Sequence, residues 1–405
     1  MELSFYTGFS ASVTQQESQL NTLEQELSTG IAVNTPDQNP AAYETATIGT
    51  DQVSALTSDS TTQADISSQL GSVDDVYSSV STLLDTVQSV VEQGLNGTTS
   101  AANLQSLSTQ VTSAAQQLLG LANTTGTGGT YLFGGSRGSV QPFQSMQTAT
   151  GTQVMYVGDG GQSQAAISAN NTASTIANGD VFMSGLEGDG FASVTASASN
   201  TGTGVLLSQG IASPATASAF QSQSSPITLS FAAGASGLTY TATQAGNTVA
   251  TGAVGTNTSL QLGGVDFELS GTPAAGDSFT VSPSRPQSAF TLLQNIATTL
   301  QSSSATPAQT AQTSQQLNQE LVSLQQYQQN VVTAQAQNGV TLQAVSNAGL
   351  ADTDQSTSIQ NAVQNAIGVN TASTITSLNE TTTALEAAMK AFGSISTLSL
   401  FNYLS

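Results

Sequence analysis

The residues that could do chemistry are few. "GTGGTYLFGG", Gly126 to Gly135, is glycine-rich enough to cradle a phosphate, but it lacks the Gly-Lys-Ser/Thr ending of a phosphate loop. A helix-to-strand turn accounts for it. "GDGGQ" (Gly158–Gln162) and "LEGDGF" (Leu186–Phe191) could suggest calcium. Neither has the alternating acids of a calcium loop or repeat, so both read as turns. Asp74 and Asp75 could act as paired acid and base, yet adjacent positions on a helix point to different faces. Lys390, in "LEAAMKAF", has no serine three residues earlier to form a nucleophile pair, and reads as a surface charge.

Composition removes most other chemistry. The chain has 405 residues, no cysteine and no histidine. Disulfides, thiolate chemistry, the usual general base and the commonest metal ligand are therefore excluded. No cofactor is expected, and catalysis is not. The net charge is −22, from 25 acids against Arg137, Arg285 and Lys390. Phosphate binding rests on clustered Lys and Arg, so nucleic acid and anionic membranes are poor partners. With all 25 acids protonated the side chains carry only +3. Self-repulsion in acid is then small, which suits acidic surroundings as well as it suits a general avoidance of Lys and Arg. The N-terminus has no basic and continuously apolar stretch of a cleavable signal peptide, and no run of about 18 apolar residues predicts a membrane span.

The elements that must position these residues are helical at both ends and strand-like between. Leu20, Leu23, Leu27 and Ile31 follow 3-4-4 spacing, which predicts an amphipathic helix closing near Gly30. Pro36 and Pro40 break its continuation. Ile66, Leu70, Val73, Tyr77, Val80, Leu84, Val87 and Val91 then alternate steps of four and three, a heptad seam in a helix running from about 41 to 95. Val76, Leu83 and Val90 widen the stripe. A second stripe, Leu104, Leu107, Val111, Ala114, Leu118 and Leu121, predicts the return arm of a helical hairpin.

From 140 to 286 short alternating runs such as "TQVMYV", "ITLSF" and "FTVS" alternate with Gly, Asn and Pro turns, among them Gly246-Asn247 and Gly276-Asp277. Helix resumes after Pro286, with Leu317, Leu321, Leu324, Gln328 and Val331 in four-three rhythm. The last segment places Ile375, Leu378, Leu385, Met389 and Phe392 on one stripe, and apolar Ile395, Leu398, Leu400 and Phe401 crowd the very end. Such a concentration in an otherwise polar chain predicts a partner surface.

Both termini are thus apolar seams with nothing nearby to cover them. An exposed apolar side chain forfeits about 1.5–3 kcal/mol relative to burial, so the termini should pair with each other. The expected fold is α+β: a long antiparallel coiled-coil bundle of N- and C-terminal segments with an inserted all-β outer domain. Its expected parts are a terminal layer (1–31 and 370–405), a helical bundle (41–139 and 287–350) and a β-rich insert (140–286).

Three motifs carry a resemblance. Leu27-Ser28-Thr29-Gly30 followed by Asp37-Gln38-Asn39-Pro40 resembles the "LSTG…DDP" opening of the bacterial flagellin family, with Ile31-Ala32 in place of basic residues. "YLFGG…PF", within Leu121 to Phe143, and the ending "LSLFNYL", within Leu385 to Leu404, are similar to the members of that family that join hook to filament. The resemblance implies export, unfolded and without a cleaved signal, through the flagellar type III apparatus with an export chaperone. It implies a structural ring of copies of itself between hook-associated protein 1 and flagellin, with the terminal helices in the inner tube. The alternatives are filament flagellin, whose members usually end differently, and a secreted β-rich adhesin on a helical stalk, which leaves the terminal seams unexplained.

Overall fold

The computed structural model describes residues 2–96, 99–148, 151–161, 163–177, 179–302 and 306–404; for 2–5, 148, 151 and 395–404 the backbone alone is described. Helix α1 (Glu2–Thr29) closes at Gly30, whose φ of 73° is the left-handed conformation that a Cβ disfavours. In the linker, Gln38 Oε1 accepts the N–H groups of Asn34 (2.6 Å) and Thr35 (3.2 Å). Asn39 Oδ1 then accepts from Ala42 N at 3.2 Å, and Pro40 opens α2 (Pro40–Leu95). An amide cap followed by proline starts a helix for two reasons: one orphan N–H is satisfied and the next does not exist. Helix α3 (Ala101–Ala122) follows, capped by Ser100.

The strand region begins with two hairpins, β1 (Phe143–Thr148) with β2 (Gly151–Tyr156), and β3 (Gln164–Ser168) with β4 (Asn171–Ser174). It continues through α4 (Asp180–Met183), β5 (Gly185–Leu186), β6 (Ala192–Ala196), β7 (Val205–Ile211) and α5 (Pro214–Gln221). Then come β8 (Ile227–Gly234), β9 (Gly237–Gln244), β10 (Asn247–Ala253), β11 (Thr258–Leu262), β12 (Val265–Ser270), β13 (Ser278–Pro283) and β14 (Pro286–Gln287). Helices α6 (Ala289–Gln301), α7 (Pro307–Ile367) and α8 (Thr371–Leu404) complete the chain. None of the described helices is long and apolar enough to cross a membrane.

The chain divides into a unit of 1–61 with 348–405 and a unit of 62–347. The second unit holds two cores. In one, the α2 stripe meets α3, α6 and α7 around an aromatic group of Tyr77, Phe133, Phe143, Phe182 and Phe290. All eight α2 residues of the heptad seam are at most 4% exposed. In the other core, sheet β10-β9-β8-β13-β6 lays its inner face on sheet β11-β12-β7. Leu229, Phe231, Phe267, Phe279 and Val281 are among the residues that fill the space between them. Their alternation along each strand is the period of two that puts every second side chain inward.

Two details depart from expectation. The 140–286 stretch is not wholly strand: α5 starts on Ser213, whose side chain accepts from Thr216 N, with Pro214 in its first turn, and it seats Ala217 and Phe220 in the sandwich core. The β9–β10 turn is Ala245-Gly246 (φ 48° and 83°), one residue earlier than the Gly-Asn reading, because two positive φ values match the strand twist.

Candidate assembly interface

Helices α1 and α8 pack antiparallel: Phe9 stacks on Phe392 (centroids 4.2 Å, 9° between planes), while Gly30 O accepts from Val369 N at the other end. Tyr6 meets Phe392 edge-on at 5.1 Å. Phe9, Val13, Gln16, Leu20, Leu23 and Leu27 are half-buried on α1 in unbroken 4-3 spacing, with Glu26 half-buried beside Leu27. Opposite them lie Thr374, Leu378, Thr381, Leu385, Ala388 and Phe392 with the same spacing. The single stripe read on α8 therefore splits. Leu378, Leu385 and Phe392 face α1, whereas Ile375 (43% exposed) and Met389 (57%) lie outside the seam with Tyr6 (52%). A 3.6-residue turn puts positions 375 and 389 one step round the helix from 374 and 388, so small residues take the seam and the larger ones face out. The side chains of Leu398, Leu400 and Phe401 lie outside the described residues, on the last turns of α8.

The two linkers of this unit hold each other. Ala32 N donates to Ile367 O at 2.7 Å, and Ile31 bridges Gly368. A Cβ on Gly368 would stand 2.3 Å from Gln364 O, so the close turn requires glycine. Asn370 caps α8 through Ser373 N (3.2 Å), as Asn39 caps α2. Beyond the linkers α2 and α7 come close enough that a Cβ on Gly49 would meet Val363 Cγ2 at 2.4 Å.

The chemistry-bearing motifs serve structure. Gly135 (φ 63°) lets the turn approach Asp159, whose carboxylate accepts from Ser136 N (2.7 Å), Ser136 Oγ and Gly161 N (3.1 Å). Those hydrogen bonds, the Ser136 hydroxyl first, hold the Asp159 carboxyl below its usual range. The turn aims Phe133 into the core, 5.7 Å from Tyr77 and 5.1 Å from Phe182. Asp189 in "LEGDGF" accepts from Phe191 N (2.9 Å), Ala192 N (2.7 Å) and Ser208 Oγ (2.7 Å), closing the turn into β6. Lys390 is exposed, and no metal-holding group of three or more acidic, histidine or cysteine side chains occurs among the described residues.

A second stripe on α7 has no counterpart in the sequence reading. Gln312, Gln315, Gln319, Ser323 and Tyr327 recur at 3-4-4-4 spacing and bond to the backbone of the strand region. Gln312 Nε2 donates to Asn200 O (3.2 Å), and Gln315 both accepts from Leu206 N (2.6 Å) and donates to Leu206 O (2.8 Å). Gln319 Oε1 accepts from Val194 N (3.1 Å), Ser323 Oγ from Gly188 N (2.7 Å) and Tyr327 Oη from Gly185 N (3.1 Å). Beside this ladder sits Glu320, 6% exposed. Burial pushes its carboxyl up to about 8; the Gln287 amide counters this, the Glu187 charge adds to it, and the Asn295 amide also counters it. Amides scattered among other glutamines give no hydropathy signal, which is why the stripe is invisible to periodicity.

The model of the bacterial flagellin N-terminal helical region matches residues 5–137. Flagellar hook-associated protein 3 of Escherichia coli (strain K12) is 27% identical over 201 residues, which cover 49% of this chain and 61% of that protein. The chain therefore spans about three fifths of the length of that curated relative. The flagellar junction protein FlgL from Legionella pneumophila has the same fold, with a TM-score of 0.71 at 23% identity over 80% of this chain and all of that one. FlgL of Xanthomonas campestris is 26% identical, with a TM-score of 0.63 over 73% of this chain and 94% of its own. The chain thus contains a segment that matches the helical region opening bacterial flagellins, and it is similar in sequence to flagellar hook-associated protein 3 and in fold to FlgL.

Proposed function

We propose that the protein is a structural subunit of the bacterial flagellum that joins hook to filament. Its partners are hook-associated protein 1 on one side, flagellin on the other and further copies of itself in a ring. It reaches that place outside the cell by flagellar export, held beforehand by a chaperone. The observation that carries this reading is the α1–α8 pair. Its seam is only half-buried, and Tyr6, Ile375 and Met389 leave apolar surface on its flanks. Two helices cannot cover one another's full circumference, so such a pair gains most of its stability from further partners. Packed against copies of the same pair in a tube wall, both flanks are covered. Leu20, Leu23, Leu27, Leu378, Leu385 and Phe392 hold the pair together, while Ile375 and Met389, with Leu398, Leu400 and Phe401 at the chain end, contribute the contacts between subunits.

The test is complementation of a strain that lacks the gene. The full chain should restore filaments on hooks and capture both hook-associated protein 1 and flagellin. A chain ending at Ala391 should keep its cooperative melt yet restore neither. Filaments polymerised from the purified protein alone would favour the filament subunit instead, and normal filaments on the truncated chain would overturn the assignment of the terminal helix.

A further inference from the structure

The seam between α7 and the sandwich holds a partly open cavity of about 340 Å³, lined mostly by polar residues with Val194, Ala196 and Ala198 among them. Among its lining residues the only ionisable ones are Glu320, from α7, and Glu187, from the turn before β6; α6 contributes Asn295, and β14 contributes Gln287. No lysine or arginine reaches it. Two buried amide atoms, Gln287 Oε1 and Gln319 Nε2, have no hydrogen-bond partner among the described residues. The neighbours of Glu320 on the same helix, Gln315, Gln319 and Ser323, hold the backbone of residues 206, 194 and 188.

We propose that Glu320 is a proton-operated latch: as a neutral acid it keeps the 185–284 lobe on α7, and as a carboxylate it loosens that hold. The physical reason is the missing counter-charge. A buried carboxylate is tolerated when a cation pairs with it, and here the other ionisable lining residue is Glu187, a like charge. The neutral acid brings an O–H donor into a cavity that contains an unpartnered acceptor, Gln287 Oε1. Ionisation removes the donor and installs an unpaired charge between the rungs that grip the lobe. The carboxyl pushed up to about 8 fits this geometry. Between about pH 4.5, the ordinary value, and about 8, opening releases a proton, so the grip is strongest in acid and weakens as pH rises. This direction agrees with a chain that accumulates little positive charge on acidification.

The experiment is amide exchange on the full-length protein between pH 5 and 8, corrected for intrinsic rates. Protection of residues 192–281 should fall with rising pH, by up to about ten-fold per unit. Glu320→Gln, which has the shape of the neutral acid, should remove that slope. Glu187→Gln, which removes the like charge, should lower the pH at which the slope ends. A wild-type lobe with no pH slope, or a Glu320→Gln lobe with the wild-type slope, overturns the latch. So does a Glu320→Gln chain that fails to fold, since a neutral isostere must be accepted if the neutral acid is the holding form.

Discussion

The terminal helix pair and the helical bundle are written in the same four-three rhythm and end up in different environments. The eight heptad-seam residues of α2 are each at most 4% exposed, and from Val73 onward α3, α6, α7 and the Phe133 group close over them. Leu20 to Leu27 on α1 stay half-buried, because a single helix faces them. Periodicity therefore states which side of a helix is apolar and leaves open how completely it is covered. Coverage depends on how many other elements the chain can bring to that side.

The sharpest way to break the contrast is native-state amide exchange. Residues 66–91 should exchange only through global opening, on the order of 5–15 kcal/mol, whereas 6–29 and 371–394 should exchange through much cheaper local opening. Comparable protection of both segments in a verified monomer would erase the distinction. Substituting one aromatic in each region tests the same point. Phe133→Ala should cost about 3–5 kcal/mol in urea unfolding, since it empties a closed core. Phe392→Ala, which removes a half-buried ring with its Phe9 stack and Tyr6 edge contact, should cost less, about 1–2 kcal/mol. Equal losses would mean the pair is as closed as the bundle.

Acidity separates the regions next. Glu320 has its folded pKa raised from 4.5 to about 8, so its contribution to stability is complete below 4.5 and is lost as pH rises toward 8. Raising pH from 5 to 7 should lower the stability of the 62–347 unit by at most about 1.4 kcal/mol per pH unit. Glu320 belongs to the 62–347 unit, so amides of α8 should not follow that slope. Melts at pH 3 and 7 check the acid end; loss of helix at pH 3 would contradict acid tolerance. The smallest effect concerns Gln16, whose buried Oε1 has no hydrogen-bond partner among the described residues. Gln16→Leu should stabilise the pair by about 1–2 kcal/mol, read as slower exchange in α1. If the polar residue also sets register, the same variant should lose the Phe9–Phe392 contact in a proximity crosslink.

Much of this was legible before any coordinates. The heptad of α2, the Gly30 stop, the proline-bounded linker and the alternating strands all follow from local periodicity and backbone sterics, which act over a few residues. The motif around Leu132-Phe133 was recognisable as a turn, but that Phe133 would sit against Tyr77 and Phe182 was not. Ile375 and Met389 looked like seam residues beside Leu378 and Leu385; the axis of α1 put Thr374 and Ala388 inside instead. Sequence by itself determined the long helices, the strand-rich character of the middle and the absence of cysteine and histidine, because these depend on side-chain chemistry and short-range spacing. Only the tertiary structure decided that α7 grips the sandwich through glutamines and that Glu320 is buried next to Glu187. A polar side chain has no preferred depth until a distant strand lends it a backbone partner or takes its water away.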